Sequence, residues 1–204
     1  MNIADVKTAF KICDVLWDGK SERLTFKYLD PLYDENGNEI PQDILKENLA
    51  RVYLIVVDGL IYKIGGSQDK GGIKGTLNIY QTGGVNGRPS IRSFGIWYFL
   101  FHAITHNHKI EFYMIYQDNF EAKVKGLFGY HTVPNASLNY KLLEECCEED
   151  YKSKENGNYP KWNIQEQGGD WPPEVKEAHL NVMELSRNKA TKTGRKKIDG
   201  NIDQ

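Results

Sequence analysis

The segment RVYLIVVDGLIYKIGGS, residues 51–67, constrains the fold of this chain more than any other. Arg51 to Val57 is apolar and rich in β-branched residues, and Leu60 to Ile64 resumes the apolar pattern. Asp58 and Gly59 between the two runs are a typical hairpin turn pair. The sequence therefore predicts a β-hairpin at this point.

Predicted helices and strands surround the hairpin. They are an amphipathic helix around Val6 to Leu16, an extended piece from Leu24 to Leu29, a turn in DENGNEIPQD, a short helix near Lys74 to Tyr80, a long apolar helix opened by Pro89 and Ser90, a strand from Lys109 to Tyr116, a helix from about Asn139 to Lys152, and a last helix opened by Trp171 and Pro172. We expect an α+β fold in which a small antiparallel sheet, the hairpin plus a third strand, is flanked by helices.

The chain is long enough for one main domain with extensions at both ends. Its 204 residues are 40% hydrophobic, which suffices for a single packed core. We expect an accessory element over residues 1–48, the main domain over residues 49–168, and a C-terminal helix with a basic, mobile tail over residues 169–204. The first residues carry charges throughout and lack a long apolar run, so we expect a soluble, cytoplasmic protein.

Cysteine and histidine give weak signals. Cys13, Cys146 and Cys147 have no zinc-type C-x-x-C spacing, which favours reduced thiols. His102 and His106 stand four positions apart on a predicted helix and could share a zinc ion, with His108 nearby. Because no fourth ligand is evident, the preferred interpretation is a group of histidines at a helix C-terminus, where the helix dipole favours positive charge.

The charge distribution is more informative than the total. A net charge of −2 argues against a nucleic-acid partner, because binding to the phosphate backbone requires Lys and Arg. Residues 51–125, however, hold 9 basic and 5 acidic side chains, whereas residues 1–50 hold 6 and 10 and residues 126–170 hold 4 and 8. A positive surface confined to one segment is compatible with a cleft that attracts phosphate.

The hairpin resembles the paired-strand signature of GIY-YIG endonucleases, with VYL at the first motif and KIG at the second. Tyr53 and Lys63 take the two signature positions. A lysine stands where a tyrosine is usual, with Tyr62 beside it; some restriction enzymes of the superfamily also place lysine there, so the departure points to a subfamily. IEFYMIY and PKWNIQ continue the resemblance, which covers roughly residues 49–168.

The resemblance also implies a metal-binding glutamate on the helix LNYKLLEECCEEDY, with buried positions three and seven residues after it. Glu144 satisfies this spacing with Cys147 and Tyr151, whereas Glu145 would place Glu148 at the first of those positions. Glu144 is therefore the predicted metal ligand.

The catalytic arginine that the resemblance implies has three candidates. Lys74 is favoured by its position after the second motif, and Arg92, at the start of the long helix, ranks equally with it. Arg88 ranks third.

In the chemistry that the resemblance implies, Glu144 holds Mg²⁺ or Mn²⁺. Tyr53 acts as general base or orients the attacking water, which requires nearby cations to lower its pKa from about 10. Lys63 supplies that charge or contacts the scissile phosphate, and Lys74 or Arg92 completes a cationic clamp. Asn163 orients the backbone near the metal and, with Arg88, is a candidate DNA-binding residue.

Each of these residues also has a purely structural interpretation. Tyr53 in an apolar strand suits core packing, Glu144 lies in an acidic run that suits a solvated helix face, and the cations suit an ordinary surface. The basic TKTGRKK of the tail could follow a DNA backbone or keep the tail soluble.

The leading hypothesis is a metal-dependent endonuclease acting on double-stranded DNA, a type II restriction enzyme working as a homodimer or higher homo-oligomer without a membrane partner. The alternatives are a phage or mobile-element nicking endonuclease, a catalytically silent DNA-binding module of the same fold, and a small metal-binding regulatory protein built on the histidines.

Overall fold

The computed structural model describes residues 1–83 and 88–192, with side chains through Ser186. Residues 193–204, which include most of the predicted basic tail, lie outside the described part. The helices are α1 (Gly72–Tyr80), α2 (Ile91–Thr105), α3 (Tyr140–Lys154) and α4 (Pro173–Lys192). The strands are β1 (Phe10–Trp17), β2 (Leu24–Tyr28), β3 (Leu32–Tyr33), β4 (Glu39–Ile40), β5 (Ala50–Val57), β6 (Leu60–Ser67), β7 (Ile110–Gln117), β8 (Phe120–Gly126) and β9 (Gly129–Ala136). The α+β class predicted from the sequence is confirmed.

A five-stranded antiparallel sheet forms the centre of the molecule, in the order β2-β1-β7-β5-β6. Every residue of β5 is buried, because the sheet is covered on both faces. Residues of α1, α2 and α4 pack on one face together with Tyr53, and α3 packs on the other. Strand β6 is the edge strand on the side where the candidate site lies.

The predicted hairpin is β5 and β6, and its turn has the expected chemistry. Asp58 and Gly59 both have positive φ, 48° and 82°, which is the backbone that a two-residue turn requires. The strand predicted from Lys109 to Tyr116 is β7, and the four predicted helices from Lys74 onward are α1, α2, α3 and α4. Ser90 and Asn139 are the side-chain caps of α2 and α3.

The prediction of an amphipathic helix around Val6 to Leu16 is wrong, because this segment contributes β1 to the central sheet. The pairing of β1 with β7 shifts between Lys11 and Cys13, and this bulge places Ile12 and Cys13 both in the core. A bulge interrupts the two-residue alternation of a strand, which is why the apolar spacing resembles that of a helix. The sheet accordingly has five strands rather than three.

Two further features complete the fold. The hairpin β8–β9 was not predicted from the sequence and forms a separate two-stranded sheet. Among the described residues, no helix combines the length and the apolar character needed to cross a membrane.

Candidate active site

Tyr53 lies in the middle of β5 with only 3% of its surface exposed, and its hydroxyl is 2.8 Å from the hydroxyl of Tyr80 at the end of α1. One of the two phenols must donate to the other, because each hydroxyl carries one proton. The aromatic rings of Tyr53 and Phe112 are stacked, with centroids 6.2 Å apart, which fixes the Tyr53 ring against the core. Phe112 therefore holds the ring of Tyr53 in place, and Tyr80 holds its hydroxyl.

Two glycines of β6 allow other groups to approach the edge strand. Gly65 is paired with Tyr53 across the hairpin, and a Cβ at Gly65 would collide with the end of the Tyr53 ring. A Cβ at Gly66 would lie 2.7 Å from Tyr140 and 2.9 Å from Oε2 of Glu144. A Cβ at either position would force a neighbouring side chain to move, so the two glycines shape the site on both faces of the sheet.

Glu144 is half-buried on α3, and its Oε1 accepts a 2.6 Å hydrogen bond from the amide of Gly66. The neighbouring Glu145 is exposed. The helix therefore directs the predicted metal ligand at the edge strand, and the choice of Glu144 over Glu145 agrees with this placement.

A carboxylate links the two cations of the site. Arg92, at the start of α2, donates to Oε1 of Glu166 at 2.7 Å, and Nζ of Lys63 lies 3.8 Å from the same oxygen. Lys63 is 1% exposed, whereas the Arg92 side chain is 48% exposed and can still meet a ligand. Glu166 follows the PKWNIQ segment and was not predicted as a site residue.

Asn163 connects the PKWNIQ segment to the edge strand β6 by hydrogen bonds. Its side chain accepts from the amide of Ile64 and donates to the carbonyl of Ile64, both at 2.9 Å, and it also donates to Oε1 of Glu148 at 2.8 Å. With 0% of its surface exposed, Asn163 cannot reach DNA. The candidate DNA-binding role of Asn163 is corrected to positioning β6 and Glu148.

Burial dominates the protonation of the site. It raises the pKa of Tyr53 well above 10, and the Tyr80 hydroxyl adds to this, whereas Arg92 opposes it only in part. The expectation that nearby cations lower the pKa of Tyr53 is therefore wrong for the protein alone. Burial likewise raises the pKa of Tyr80 and lowers the pKa of Lys63.

Neighbouring charges shift the pKa values of Glu148 and Arg92. Burial, together with the charges of Glu144 and Glu166, raises the pKa of Glu148. For Arg92, burial acts to lower the pKa, but Glu166, Tyr53 and Glu144 outweigh burial and raise it. These shifts show that Arg92, both phenols and Glu144 belong to one electrostatic cluster.

The structure distinguishes between the candidates for the arginine role. Arg92 interacts with Tyr53, Tyr80 and Glu144, whereas Nζ of Lys74 lies 4.7 Å from the centre of the Tyr28 ring. Arg88 is exposed in the loop before α2. Arg92 is thus the cation that the fold brings to the site.

The three histidines make two separate sets of contacts. Nδ1 of His106 donates a 2.7 Å hydrogen bond to the carbonyl of His102, and the two rings stack. His108 pairs instead with Asp58 at 2.6 Å. Within residues 1–83 and 88–186, no group of three or more His, Cys, Asp or Glu side chains could hold a metal ion. Cys13, Cys146 and Cys147 are free thiols, as expected.

Sequence reasoning missed Tyr80, Glu148 and Glu166. Glu148 was considered only as a position that ought to be apolar, yet it is 9% exposed and bonded to Asn163. The spacing from Glu144 to Glu148, four residues on one helix face, is the signal that could have identified it. Tyr80 and Glu166 reach the site through long-range contacts and leave no local pattern.

Comparisons with known proteins add a structural likeness. No protein-family model and no curated protein matches the sequence. Among solved structures, the chain is similar to restriction endonuclease HPY188I in complex with product DNA, with 20% identity and a TM-score of 0.45, over 78% of this chain and 84% of that one. It is also similar to a mutant of bacteriophage T4 EndoII, with 18% identity and a TM-score of 0.46, over 76% and 92% of the two chains.

Proposed function

We propose that the protein is a Mg²⁺- or Mn²⁺-dependent endonuclease of the GIY-YIG type that hydrolyses phosphodiester bonds of double-stranded DNA. The observation that supports this most is that Tyr53 packs against Gly65 and Glu144 bonds the neighbouring Gly66 on the edge strand. A buried phenol, Tyr53, and the Arg92 guanidinium belong to one electrostatic cluster with the carboxylate of Glu144, which bonds Gly66. Metal-assisted phosphodiester hydrolysis uses a positioned water, positive charge near the phosphoryl oxygens and a ligand for the metal.

Glu144 fits the role of metal ligand. Its Oε1 is fixed by the Gly66 amide, and its carboxylate offers the hard oxygen donors that Mg²⁺ prefers. A single protein carboxylate suffices, because Mg²⁺ keeps several waters and also binds substrate phosphate. When bound, the metal polarises a phosphoryl oxygen and stabilises the leaving oxygen.

Tyr53 orients the attacking water as a neutral phenol. Its raised pKa keeps the hydroxyl protonated near neutral pH, so it does not start the reaction as a phenolate. If the Tyr53 hydroxyl donates the hydrogen bond to the Tyr80 oxygen, the lone pairs of Tyr53 are free to accept a hydrogen bond from water. Tyr80 then positions Tyr53 rather than contacting the DNA.

Arg92 and Lys63 supply positive charge for the phosphate. Two cations share the carboxylate of Glu166, so the group keeps an excess of one positive charge. The half-exposed guanidinium of Arg92 offers the planar donors that bind phosphate oxygens. The buried Lys63 stabilises Glu166 and the developing charge from inside the fold.

A type II restriction activity on duplex DNA requires cuts in both strands. One small site cuts one strand, so we propose that the protein acts as a homodimer or a higher homo-oligomer. A nicking endonuclease is the second candidate, because one such site acting alone cuts only one strand.

Incubation with supercoiled plasmid and with phage genomic DNA, in Mg²⁺ and in EDTA, tests the proposal. Discrete bands that require Mg²⁺ and carry ligatable 5′-phosphate ends support a restriction endonuclease. Nicked circles alone support the nicking enzyme. Binding without cleavage in Mg²⁺ or Mn²⁺ contradicts nuclease activity and supports the silent DNA-binding module.

A further inference from the structure

The hairpin β8–β9 stands apart from the core. Each of its two strands is exposed along most of its length, and the two residues of the turn, Leu127 and Phe128, are 94% and 100% exposed. Two adjacent large apolar side chains in full contact with water contribute nothing to the folded core. Their position at a hairpin tip indicates a role outside it.

The base of the hairpin adjoins the candidate active site. The side chain of Gln68, directly after β6 and two residues from Gly66, donates to Ser137 at the end of the hairpin at 2.9 Å. Helix α3, which carries Glu144, begins three residues later at Tyr140. A duplex whose phosphate lies at Glu144 therefore passes beside the base of the hairpin.

One face of the hairpin is cationic and hydrogen-bonding. Lys123 and Lys125 lie on the same face of β8, and their cross-strand partners on β9 are Thr132 and Tyr130. All four side chains are exposed. Such a face suits the phosphate backbone, because lysine, threonine and tyrosine are among the side chains that contact phosphate oxygens.

The length of the hairpin suits insertion of its tip into a groove. A strand of seven residues, as in β8, extends about 23 Å, which is about three times the minor-groove depth of about 7.5 Å. Phe and Leu are the side chains that minor-groove proteins insert between base steps. Gly129, with φ of 149°, adopts the unusual backbone next to the turn, so Leu127 and Phe128 can occupy it.

We propose that β8–β9 is a DNA-binding arm in which Lys123 and Lys125 contact phosphates and Leu127 and Phe128 wedge between base pairs from the minor groove. This inference rests on the proposed function, because it takes the DNA at Glu144 as the same molecule that the arm contacts. A second copy of the chain is the alternative occupant of an exposed apolar tip, and the experiments below distinguish it from DNA.

Binding of a dye-labelled duplex, followed by fluorescence anisotropy in EDTA at several salt concentrations, tests the arm without cleavage. The tip variant carries Leu127→Ser and Phe128→Ser, and the face variant carries Lys123→Ala and Lys125→Ala. We expect the tip variant to bind about tenfold more weakly with an unchanged salt slope, since it loses stacking and keeps its phosphate contacts. We expect the face variant to lower the slope of log K against log salt by about 2.

Two control variants match these changes. Leu180→Ser alters an apolar side chain of α4 that is 61% exposed, and Lys20→Ala alters an exposed lysine in the β1–β2 turn at the opposite edge of the sheet. Both controls are expected to bind DNA as the unmodified protein does.

The outcomes separate the arm from the nuclease. If the protein cleaves DNA but both arm variants bind DNA with an affinity within about twofold of the unmodified protein, the inference of a DNA-binding arm is wrong and the proposed nuclease activity is retained. If the protein binds DNA without cleaving it and the arm variants lose affinity as expected, the DNA-binding arm is supported and the proposed nuclease activity is wrong. A tip variant that dissociates an oligomer in sedimentation without weakening DNA binding assigns the hairpin to a second copy and overturns the inference.

Discussion

The amide of Gly66 donates a 2.6 Å hydrogen bond to Oε1 of Glu144, so the edge strand and helix α3 meet at one carboxylate oxygen. The contact is possible because Gly66 has no Cβ, which would lie 2.9 Å from Oε2 of Glu144. The bond orients the carboxylate without using its second oxygen. A predicted metal ligand and a motif glycine thus form one structural unit.

Gly66→Ala is expected to displace Glu144 and Tyr140. The added methyl group overpacks the contact, which destabilises the fold by about 1–3 kcal/mol. We expect cleavage to fall by about 10- to 100-fold and to recover partly at higher Mg²⁺, because a misplaced ligand mainly weakens metal binding. A titration of cleavage rate against Mg²⁺ measures this, and an unchanged metal dependence contradicts it.

Tyr53→Phe is expected to remove most turnover while the protein stays folded, because only a hydroxyl is lost. We expect a loss of about 10²-fold or more. Tyr80→Phe removes only the partner of Tyr53, so we expect a smaller loss. Single-turnover cleavage with circular dichroism as the folding control measures both. Full activity of Tyr53→Phe would return this residue to a core-packing role.

Arg92→Ala and Lys74→Ala distinguish the two sequence candidates for the catalytic cation. Arg92 bonds Glu166 and interacts with Tyr53, whereas Lys74 contacts the Tyr28 ring. We expect Arg92→Ala to lower the rate of cleavage by about 10²- to 10³-fold, and Lys74→Ala to leave it near that of the unmodified protein. The opposite ranking contradicts the assignment of Arg92.

Lys63→Met is expected to stabilise the protein while lowering its activity. Burial of Lys63 lowers its pKa below 10.5, so the folded protein binds fewer protons there than the unfolded chain. By linkage, Lys63 destabilises the fold most below its folded pKa. This destabilisation decreases as the pH rises from the folded pKa toward 10.5. Replacing the charge by an apolar side chain of similar size should raise the free energy of unfolding by roughly 1 kcal/mol near neutral pH.

Urea unfolding of Lys63→Met and of the unmodified protein, from neutral pH to about pH 10, measures this effect. The gain in stability should shrink as the pH rises. A destabilised variant whose difference from the unmodified protein does not depend on pH contradicts a strained, buried charge at Lys63.

The hairpin β5–β6 could be predicted because its evidence is local. The apolar runs and the Asp58-Gly59 turn lie within one continuous segment, and the motif spacing placed Tyr53 and Lys63 on facing strands. Glu144 was predicted from the spacing that the GIY-YIG resemblance implies within one helix, which separates it from Glu145. Local sequence patterns therefore predicted the residues whose placement depends on a single hairpin or a single helix.

The remaining parts depend on contacts that no local pattern records. Glu166 meets Arg92 across 74 residues of sequence, and Tyr80 meets Tyr53 across 27. Strand β1 was mistaken for a helix because its bulge at Ile12 breaks the strand alternation. Tertiary structure, rather than residue type, decides these positions.

The most direct test of the central claim compares Glu144→Gln with Glu145→Gln in Mg²⁺-dependent plasmid cleavage. Glutamine keeps an oxygen that can accept from the Gly66 amide but removes the charge that a metal ligand needs, whereas Glu145 is exposed beside it. We predict that Glu144→Gln binds DNA in EDTA as before and loses cleavage by about 10³-fold or more, with Glu145→Gln unaffected. Cleavage by Glu144→Gln at the rate of the unmodified protein would contradict the assignment of Glu144 as the metal ligand.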